Sequence, residues 1–179
     1  MEQSPTEPQP KGRSQYIGLA GEHYVAYSLL VRRFHASVVG GNVPNIDVLV
    51  SSGDGYNQIS LQVKTSRSAY RPKLWGYEVY QWDVGRSAIG RHSPNHWYAF
   101  VDLQEKNASA WTPTVYLVPS FWVNAWVSHC PDSPRQMYPL KAAASDLCKG
   151  RWDYLPKLFA RDPTVMRLTE AVPKEAAWE

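Results

Sequence analysis

Three polar side chains interrupt two apolar runs between residues 45 and 66, and their chemical types suit the binding of a cation or a phosphate. Asp47 offers a carboxylate, Gln62 an amide and Lys64 an ammonium group. Polar residues in a strand usually only face solvent. Whether these three can act together therefore depends on where the two runs place them.

Both runs alternate apolar and polar residues with a period of two, which is typical of half-buried strands. Between them lies the pair Asp54-Gly55, which favours a two-residue type I′ hairpin turn. A turn centred on this pair places Asp47 opposite Gln62, with Cβ atoms about 4.5–5.5 Å apart. Lys64 follows on the same face of its strand. The sequence thus predicts that the three side chains converge, and a shift of one residue in the register would separate them.

A helix is predicted upstream, from Tyr16 to Arg33, with Ser14 as its N-cap. Glu22 lies on the same stripe of this helix as Val25 and Leu29. A carboxylate on a core-facing stripe is costly unless it is paired or binds a metal. The helix pattern alone favours an ion pair for Glu22, whereas the hairpin beside it favours a functional role. The cationic side chains available for such a pair are Arg32, Arg33 and Lys64.

The segments Pro44-Asn45-Ile46-Asp47 and Gln62-Val63-Lys64 are separated by fourteen residues. In this respect the chain resembles the PD-(D/E)xK nuclease superfamily, which has the restriction-endonuclease-like fold, and in particular its archaeal Holliday-junction-resolvase-like branch. The resemblance covers roughly residues 14–119. It departs from the family pattern at Gln62, where the family has Glu or Asp. Some members of the superfamily carry Gln at this position, which gives a QxK variant of the motif.

The resemblance implies a metal-dependent endonuclease that hydrolyses phosphodiester bonds in nucleic acid, with DNA as the expected substrate and Mg²⁺ or Mn²⁺ as the cofactor. A glutamate on the first helix reaches the metal site in the family, and Glu22 matches that position. The expected metal ligands are Asp47, Gln62, the Val63 backbone carbonyl and Glu22. The expected catalytic residues are Asp47, Gln62, Lys64 and Glu22.

The order of the predicted elements favours an α/β fold in which helices flank a mixed central β-sheet. The resemblance implies that this fold has a restriction-endonuclease-like core that begins αβββ. Further strands are predicted at residues 77–82, 96–103 and 114–119, a short helix capped by Ser120 at 120–128, and a final helix or two within 140–159 that end near Pro156. Residues 1–13 are predicted to be a disordered tail, 14–172 a single domain and 173–179 a loose tail.

A basic segment rich in aromatic residues directly follows Lys64. Arg67, Arg71 and Lys73 are interleaved with Tyr70 and Trp75, a combination that suits phosphate contacts and base stacking. A solvated loop has the same composition, so this alternative stays open. A solvated or structural role is favoured for each of four further residues, namely Arg86, Arg91, His92 and His96.

The charge and hydrophobicity of the chain limit the classes of function that it can have. The formal charge of +3 and the pI near 8.8 permit nucleic-acid binding without requiring it. No apolar run approaches the roughly 20 residues of a membrane span, so we expect a soluble cytoplasmic protein. The sequence leaves open whether two copies pair. It also leaves open two other functions: a catalytically lapsed binding or interaction module on the same fold, and a structural subunit with no nucleic-acid role.

Overall fold

The computed structural model describes residues 13–40, 44–104 and 111–178. The tail was predicted at residues 1–13; residues 1–12 lie outside the described residues, and Arg13 begins the first helix. The helices and strands are α1 (Arg13–Leu30), β1 (His35–Val38), β2 (Val48–Ser51), β3 (Gln58–Ser66), β4 (Tyr70–Leu74), β5 (Tyr77–Asp83), β6 (His96–Asp102), β7 (Thr114–Pro119), α2 (Ser120–Val127), β8 (Met137–Lys141), α3 (Tyr154–Phe159) and α4 (Pro163–Met166).

The main sheet has five strands in the order β1-β2-β3-β6-β7. Strands β1 to β3 pair antiparallel, β3 pairs with β6 in parallel, and β6 pairs with β7 antiparallel. The predicted mixed α/β fold is therefore confirmed. The chain begins in the order αβββ, but its first strand, β1, was not predicted. No described helix has both the length and the apolar character needed to cross a membrane.

Apolar side chains cover both faces of the main sheet. One core joins Val25 and Leu29 of α1 to Val63 of β3 and Trp97 of β6. A second core, on the opposite face, is rich in aromatic residues, including Trp82, Phe100, Tyr116, Trp122 and Tyr138. Successive residues of β6 enter opposite cores because side chains alternate across a strand. This explains why β6 is continuously apolar from Trp97 to Val101.

Helix α1 ends earlier than the predicted limit at Arg33. The N–H of Phe34 donates to the Leu29 carbonyl at 3.1 Å, and the N–H of Arg33 donates to the Leu30 carbonyl at 2.9 Å. Arg33 has a φ of 66°. These features define a Schellman motif, which satisfies the last helical carbonyls. Ser14, the predicted cap, lies inside the helix.

The hairpin of β2 and β3 has the predicted register, since Val48 pairs with Leu61 and Ser51 with Gln58. Continuing this register by one residue places Asp47 opposite Gln62. The two strands therefore place both side chains on one face of the sheet.

The turn itself differs from the prediction. The Gly55 N–H donates to the Ser52 carbonyl at 2.9 Å, and the Ser52 N–H donates to the Asn57 carbonyl, also at 2.9 Å. Gly55 has a φ of 77°, but Asp54 is not in the positive-φ region that a type I′ turn requires. The carboxylate of Asp54 instead accepts the Tyr56 N–H at 3.0 Å. The longer loop is centred on the same two residues, so the register is unchanged.

A second, three-stranded sheet was not predicted. Its order is β4-β5-β8, and it packs over the aromatic core. The predicted helical segment from residue 140 is wrong at its start, since Leu140 and Lys141 belong to β8 and residues 142–147 form a 3₁₀ helix. The helix that does form, α3, continues through Pro156. Proline is tolerated there because the first turn of a helix needs no N–H donor.

Two smaller predictions also require correction. Ser120 does not cap α2, because Pro119 is the N-cap and the Ser120 hydroxyl bonds to the Ser93 backbone. The C-terminal residues that we predicted to be loose are packed, with Ala176 buried and Trp178 in contact with the rings of Trp126 and Tyr77. These side chains pack against an aromatic surface that residues of the second sheet and α2 form together.

Candidate functional site

Asp47 and Gln62 are in direct contact. One carboxylate oxygen of Asp47, Oδ2, accepts a hydrogen bond from the Gln62 side-chain amide and another from the Val63 N–H, the latter at 2.7 Å. The backbone of Asp47 is held on both sides, because its N–H donates to the Leu61 carbonyl at 2.9 Å and its carbonyl accepts the Val39 N–H at 2.8 Å. The main chain therefore fixes the position of the carboxylate beside β3.

Strand β3 extends beyond the end of β2, and this leaves an open side at Val63. The Val63 N–H is bonded to the Asp47 side chain instead of to a β2 backbone group. The N–H and C=O of one strand residue point to the same side of the strand. The Val63 carbonyl therefore lies on the same side of β3 as the Asp47 carboxylate.

Glu22 approaches this open end from α1 through an unusually close contact between helix and strand. Gly21 is buried, and a Cβ atom at this position would overlap the Thr65 hydroxyl of β3. The same Thr65 Oγ1 is buried and has no hydrogen-bond partner within the described residues. Glycine at position 21 thus lets α1 lie directly against β3 and places Glu22 beside the site.

The two carboxylates influence each other. Burial raises the pKa of Glu22, and the Asp47 carboxylate raises it further, whereas His23 and Lys64 lower it. Burial also raises the pKa of Asp47, against the opposing effects of the Val63 N–H, Lys64 and Gln62. For both carboxyl groups, the nearby positive charges and hydrogen bonds do not offset the effect of burial on the pKa. A bound cation would add positive charge and favour the ionised forms.

The site has oxygen atoms of the kind that bind a small divalent cation, although not all of them point at one position. Within the described residues, no three side chains of the His, Cys, Asp or Glu types form a metal-binding group. The predicted set is therefore two carboxylates, the Gln62 amide and the Val63 carbonyl, which are donors of the kind that Mg²⁺ prefers. The Gln62 amide directs its NH₂ group at Asp47. Its oxygen would have to turn toward a bound ion.

Two glycines in α1 allow a test of the helix contact. We expect Gly21→Ala to lower the free energy of unfolding by about 1–3 kcal/mol, because the added methyl group overlaps Thr65. Gly18→Ala is the matched control, since a Cβ at Gly18 meets nothing within 4 Å. It should stabilise the helix by up to about 1 kcal/mol. Urea denaturation of both variants measures the difference, and equal effects would show that the close contact is not tight.

The predicted nucleic-acid-binding residues lie on and before β4. Arg71 and Lys73 are exposed on this edge strand and not in a loop, so both phosphate contacts and simple solvation stay open for them. Arg71 donates to the carbonyls of Ser68 and Tyr70 at 3.0 and 2.9 Å. Arg67 is half-buried between β3 and β4. Strand β4 thus presents two of the three predicted cations at the edge of the second sheet.

Sequence reasoning missed a polar pair next to Gln62. Ser60 Oγ lies 2.8 Å from Nδ1 of His96. In the parallel register Ser60 pairs with His96 and Gln62 with Tyr98. The sequence contained a signal for this pair, because Ser60 and His96 are polar residues within strand-like runs. However, only the pairing of β3 with β6, which are distant in sequence, brings them together.

The fold and the site define a mixed α/β protein with a polar site at the open end of a β-hairpin. No protein family matches the chain, and no curated protein matches it. Among solved structures, the chain is similar to a bacterial homing endonuclease, with a TM-score of 0.49 and 13% identity over 84% of this chain and 96% of that one. We base no conclusion about function on a likeness this distant.

Proposed function

We propose that this protein is a Mg²⁺- or Mn²⁺-dependent endonuclease of the PD-(D/E)xK kind that hydrolyses phosphodiester bonds in DNA. The observation that carries the proposal is the cluster at the open end of the hairpin. There, the carboxylate of Asp47 contacts Gln62 and the Val63 N–H, with Glu22 and Lys64 within electrostatic reach. These residues come from the β2–β3 hairpin and from α1, and the two carboxylates are near enough for Asp47 to raise the pKa of Glu22.

In this proposal, Asp47, Glu22, the Gln62 amide oxygen and the Val63 carbonyl hold the metal ion. The chemistry that Mg²⁺ supplies when bound to such ligands is polarisation of the scissile phosphate and activation of water. Lys64 orients the attacking water or offsets the charge that develops on the phosphate oxygens. Lys64 does not have to be the general base to fulfil either role.

One observation favours a second function, that of a catalytically lapsed module that binds nucleic acid or a protein. The Gln62 amide hydrogen-bonds to Asp47 and thereby partly compensates its charge without a metal ion. A glutamate at this position would instead repel Asp47. The amide therefore allows the site to keep its shape without an ion, as a binding module would need.

Cleavage assays distinguish these functions. We expect cleavage of at least one substrate from a panel of duplex, single-stranded and branched DNA and RNA, in Mg²⁺ or Mn²⁺ and not in EDTA. Asp47→Ala should be inactive in the same assay. Binding by the wild type without metal-dependent cleavage would support the lapsed module. An absence of binding to every substrate would exclude the nuclease and a nucleic-acid-binding module, and would leave only a module that binds a protein or a structural role.

The basic segment makes a separate prediction about affinity. If Arg67, Arg71 and Lys73 bind phosphates, replacing all three with alanine should weaken binding to every sequence alike. On duplex DNA, the slope of log K against log[salt] should fall by about 0.9 for each phosphate that the variant no longer neutralises. Titrations at several salt concentrations, monitored by fluorescence anisotropy, measure this slope.

A matched variant controls for the loss of charge alone. Three exposed cations of the C-terminal part of the chain are suitable for alanine replacement, namely Lys149, Arg167 and Lys174. This control variant has the same net charge as the variant without Arg67, Arg71 and Lys73. Its slope of log K against log[salt] should stay close to that of the wild type. Equal slopes in the two variants would show that the β4 residues act only through net charge.

A further inference from the structure

A second polar group lies on the same sheet face as the candidate site, one step along the strands. His96 and Ser60 are paired across β3 and β6, and their side chains are joined at 2.8 Å. Ser60 precedes Gln62 by two residues, which corresponds to about 6.6 Å along a strand. Ser60 and His96 are only partly buried, so a ligand can reach part of the pair.

Tyr98 connects this pair to the candidate site. Its ring lies 5.6 Å from the His96 ring in an edge-on arrangement, and it pairs with Gln62 across the two strands. Burial raises the pKa of Tyr98 to about 12, and of the two charged groups that act on it, Arg91 opposes this shift and Asp47 adds to it. Tyr98 is therefore within electrostatic reach of both Arg91 and Asp47.

Arg91 places a positive charge within electrostatic reach of His96 and Tyr98. It is exposed, in the connection that leads into β6. Burial lowers the pKa of His96, and the Arg91 cation lowers it further. His96 is therefore neutral at pH 7 and able to act as a hydrogen-bond donor or acceptor, while Arg91 provides the charge.

We propose that Arg91, His96 and Ser60 form a second phosphate-binding subsite, which holds the phosphodiester next to the one placed at Asp47 and Lys64. This inference is based on the proposed nuclease function and extends it to how the backbone is aligned. The proposal requires the His96 tautomer that carries its proton on Nε2. In this tautomer Nδ1 accepts the Ser60 hydroxyl, which also lies 3.4 Å from the Asn95 carbonyl, and Nε2 donates to a phosphate oxygen. Arg91 binds the same phosphate through a charge-assisted hydrogen bond.

Electrostatic repulsion explains why such a subsite is needed. A nucleic-acid backbone that enters the site meets the carboxylates of Asp47 and Glu22, which repel it. Lys64 offsets this repulsion at one phosphate. A second cation at the neighbouring phosphate holds the strand in register and does not itself require a metal ion. Arg91, His96 and Ser60 are thus positioning residues that align the substrate.

The experiment uses DNA duplexes in which one phosphodiester at a time is replaced by an uncharged methylphosphonate, with binding measured in EDTA. In the wild type, the modification should weaken binding about tenfold or more at the phosphates that the protein binds. In Arg91→Ala the effect should vanish at one position and persist elsewhere, because the two changes remove the same interaction. In Lys64→Ala it should vanish at the adjacent position.

Three control variants separate phosphate binding from fold stability and from net charge. Arg86→Ala removes the same charge from the same connection, but its guanidinium already donates to the Pro131 carbonyl at 3.4 Å, so the wild-type pattern should persist. His96→Gln keeps an N–H donor and should retain most of the effect, whereas His96→Ala should lose it. Thermal unfolding should give similar midpoints for the two His96 variants.

The outcomes distinguish the subsite from the proposed function. A position-specific loss in Arg91→Ala together with no cleavage by the wild type supports the subsite and excludes the nuclease. Uniform weakening at every position, or an Arg86→Ala pattern equal to that of Arg91→Ala, overturns the subsite and leaves the nuclease proposal intact. A wild type that binds no duplex overturns the subsite, and the cleavage panel then decides the nuclease proposal by itself.

Discussion

Replacing Asp47 with alanine is expected to reduce metal-dependent cleavage by about a hundredfold or more and to remove divalent-ion binding. The reason is geometric, since Asp47 is the residue that joins the two strands of the site through Gln62 and the Val63 N–H. The variant also leaves the Val63 N–H without an acceptor, which costs about 1–3 kcal/mol of folding stability if water does not replace it. Cleavage and calorimetric titration of Mg²⁺ and Mn²⁺ measure the first effect, and denaturation measures the second.

Two further variants separate chemistry from stability. Asp47→Asn keeps an oxygen that accepts the Val63 N–H but removes the charge, so it should fold like the wild type and still fail to cleave. Asp54→Ala removes a carboxylate from the tip of the same hairpin, where the side chain is exposed, and should retain activity. An active Asp47→Asn variant would show that the carboxylate is not a metal ligand.

Gln62→Glu is expected to tighten divalent-ion binding and to preserve or raise cleavage. The wild-type site has a neutral amide where its proposed relatives have a carboxylate, so the wild type should bind divalent ions weakly. It should bind Mn²⁺ better than Mg²⁺, because Mn²⁺ tolerates irregular ligand sets. The substitution adds a negative charge with nearly the same shape. Calorimetric titration of both ions into the wild type and the variant measures the change.

The same substitution should make folding depend on the metal ion. Without an ion, the introduced carboxylate cannot donate to Asp47 and instead repels it, which should lower the free energy of unfolding by about 1–3 kcal/mol. Mg²⁺ or Mn²⁺ should restore the stability, since binding to the folded state alone shifts the unfolding equilibrium. If Gln62→Glu binds ions no better and Asp47→Ala binds them no worse, these residues form no metal site and the binding module becomes the better description.

Local patterns in the sequence determined the hairpin and its register. Alternation identified the two strands, and Asp54-Gly55 marked the centre of the loop between them. The turn type was wrong, because the Asp54 side chain stabilises a different turn by accepting the Tyr56 N–H. The opposition of Asp47 and Gln62 was nevertheless correct, since it depends only on where the loop is centred. The stripe on α1 likewise predicted that Glu22 faces the protein and not solvent.

Only the tertiary structure decided which distant segments meet. The pairing of β3 with β6 brings His96 beside Ser60 across 36 positions of sequence, and no local pattern encodes that choice of neighbour. The close approach of Gly21 to Thr65 likewise depends on how α1 packs on the sheet. Strand β8 and the packed C-terminal residues are stable because they bury apolar side chains against the aromatic core. The physical reason is common to all of these: turns and alternation follow from neighbouring residues, whereas burial and partner choice follow from the whole chain.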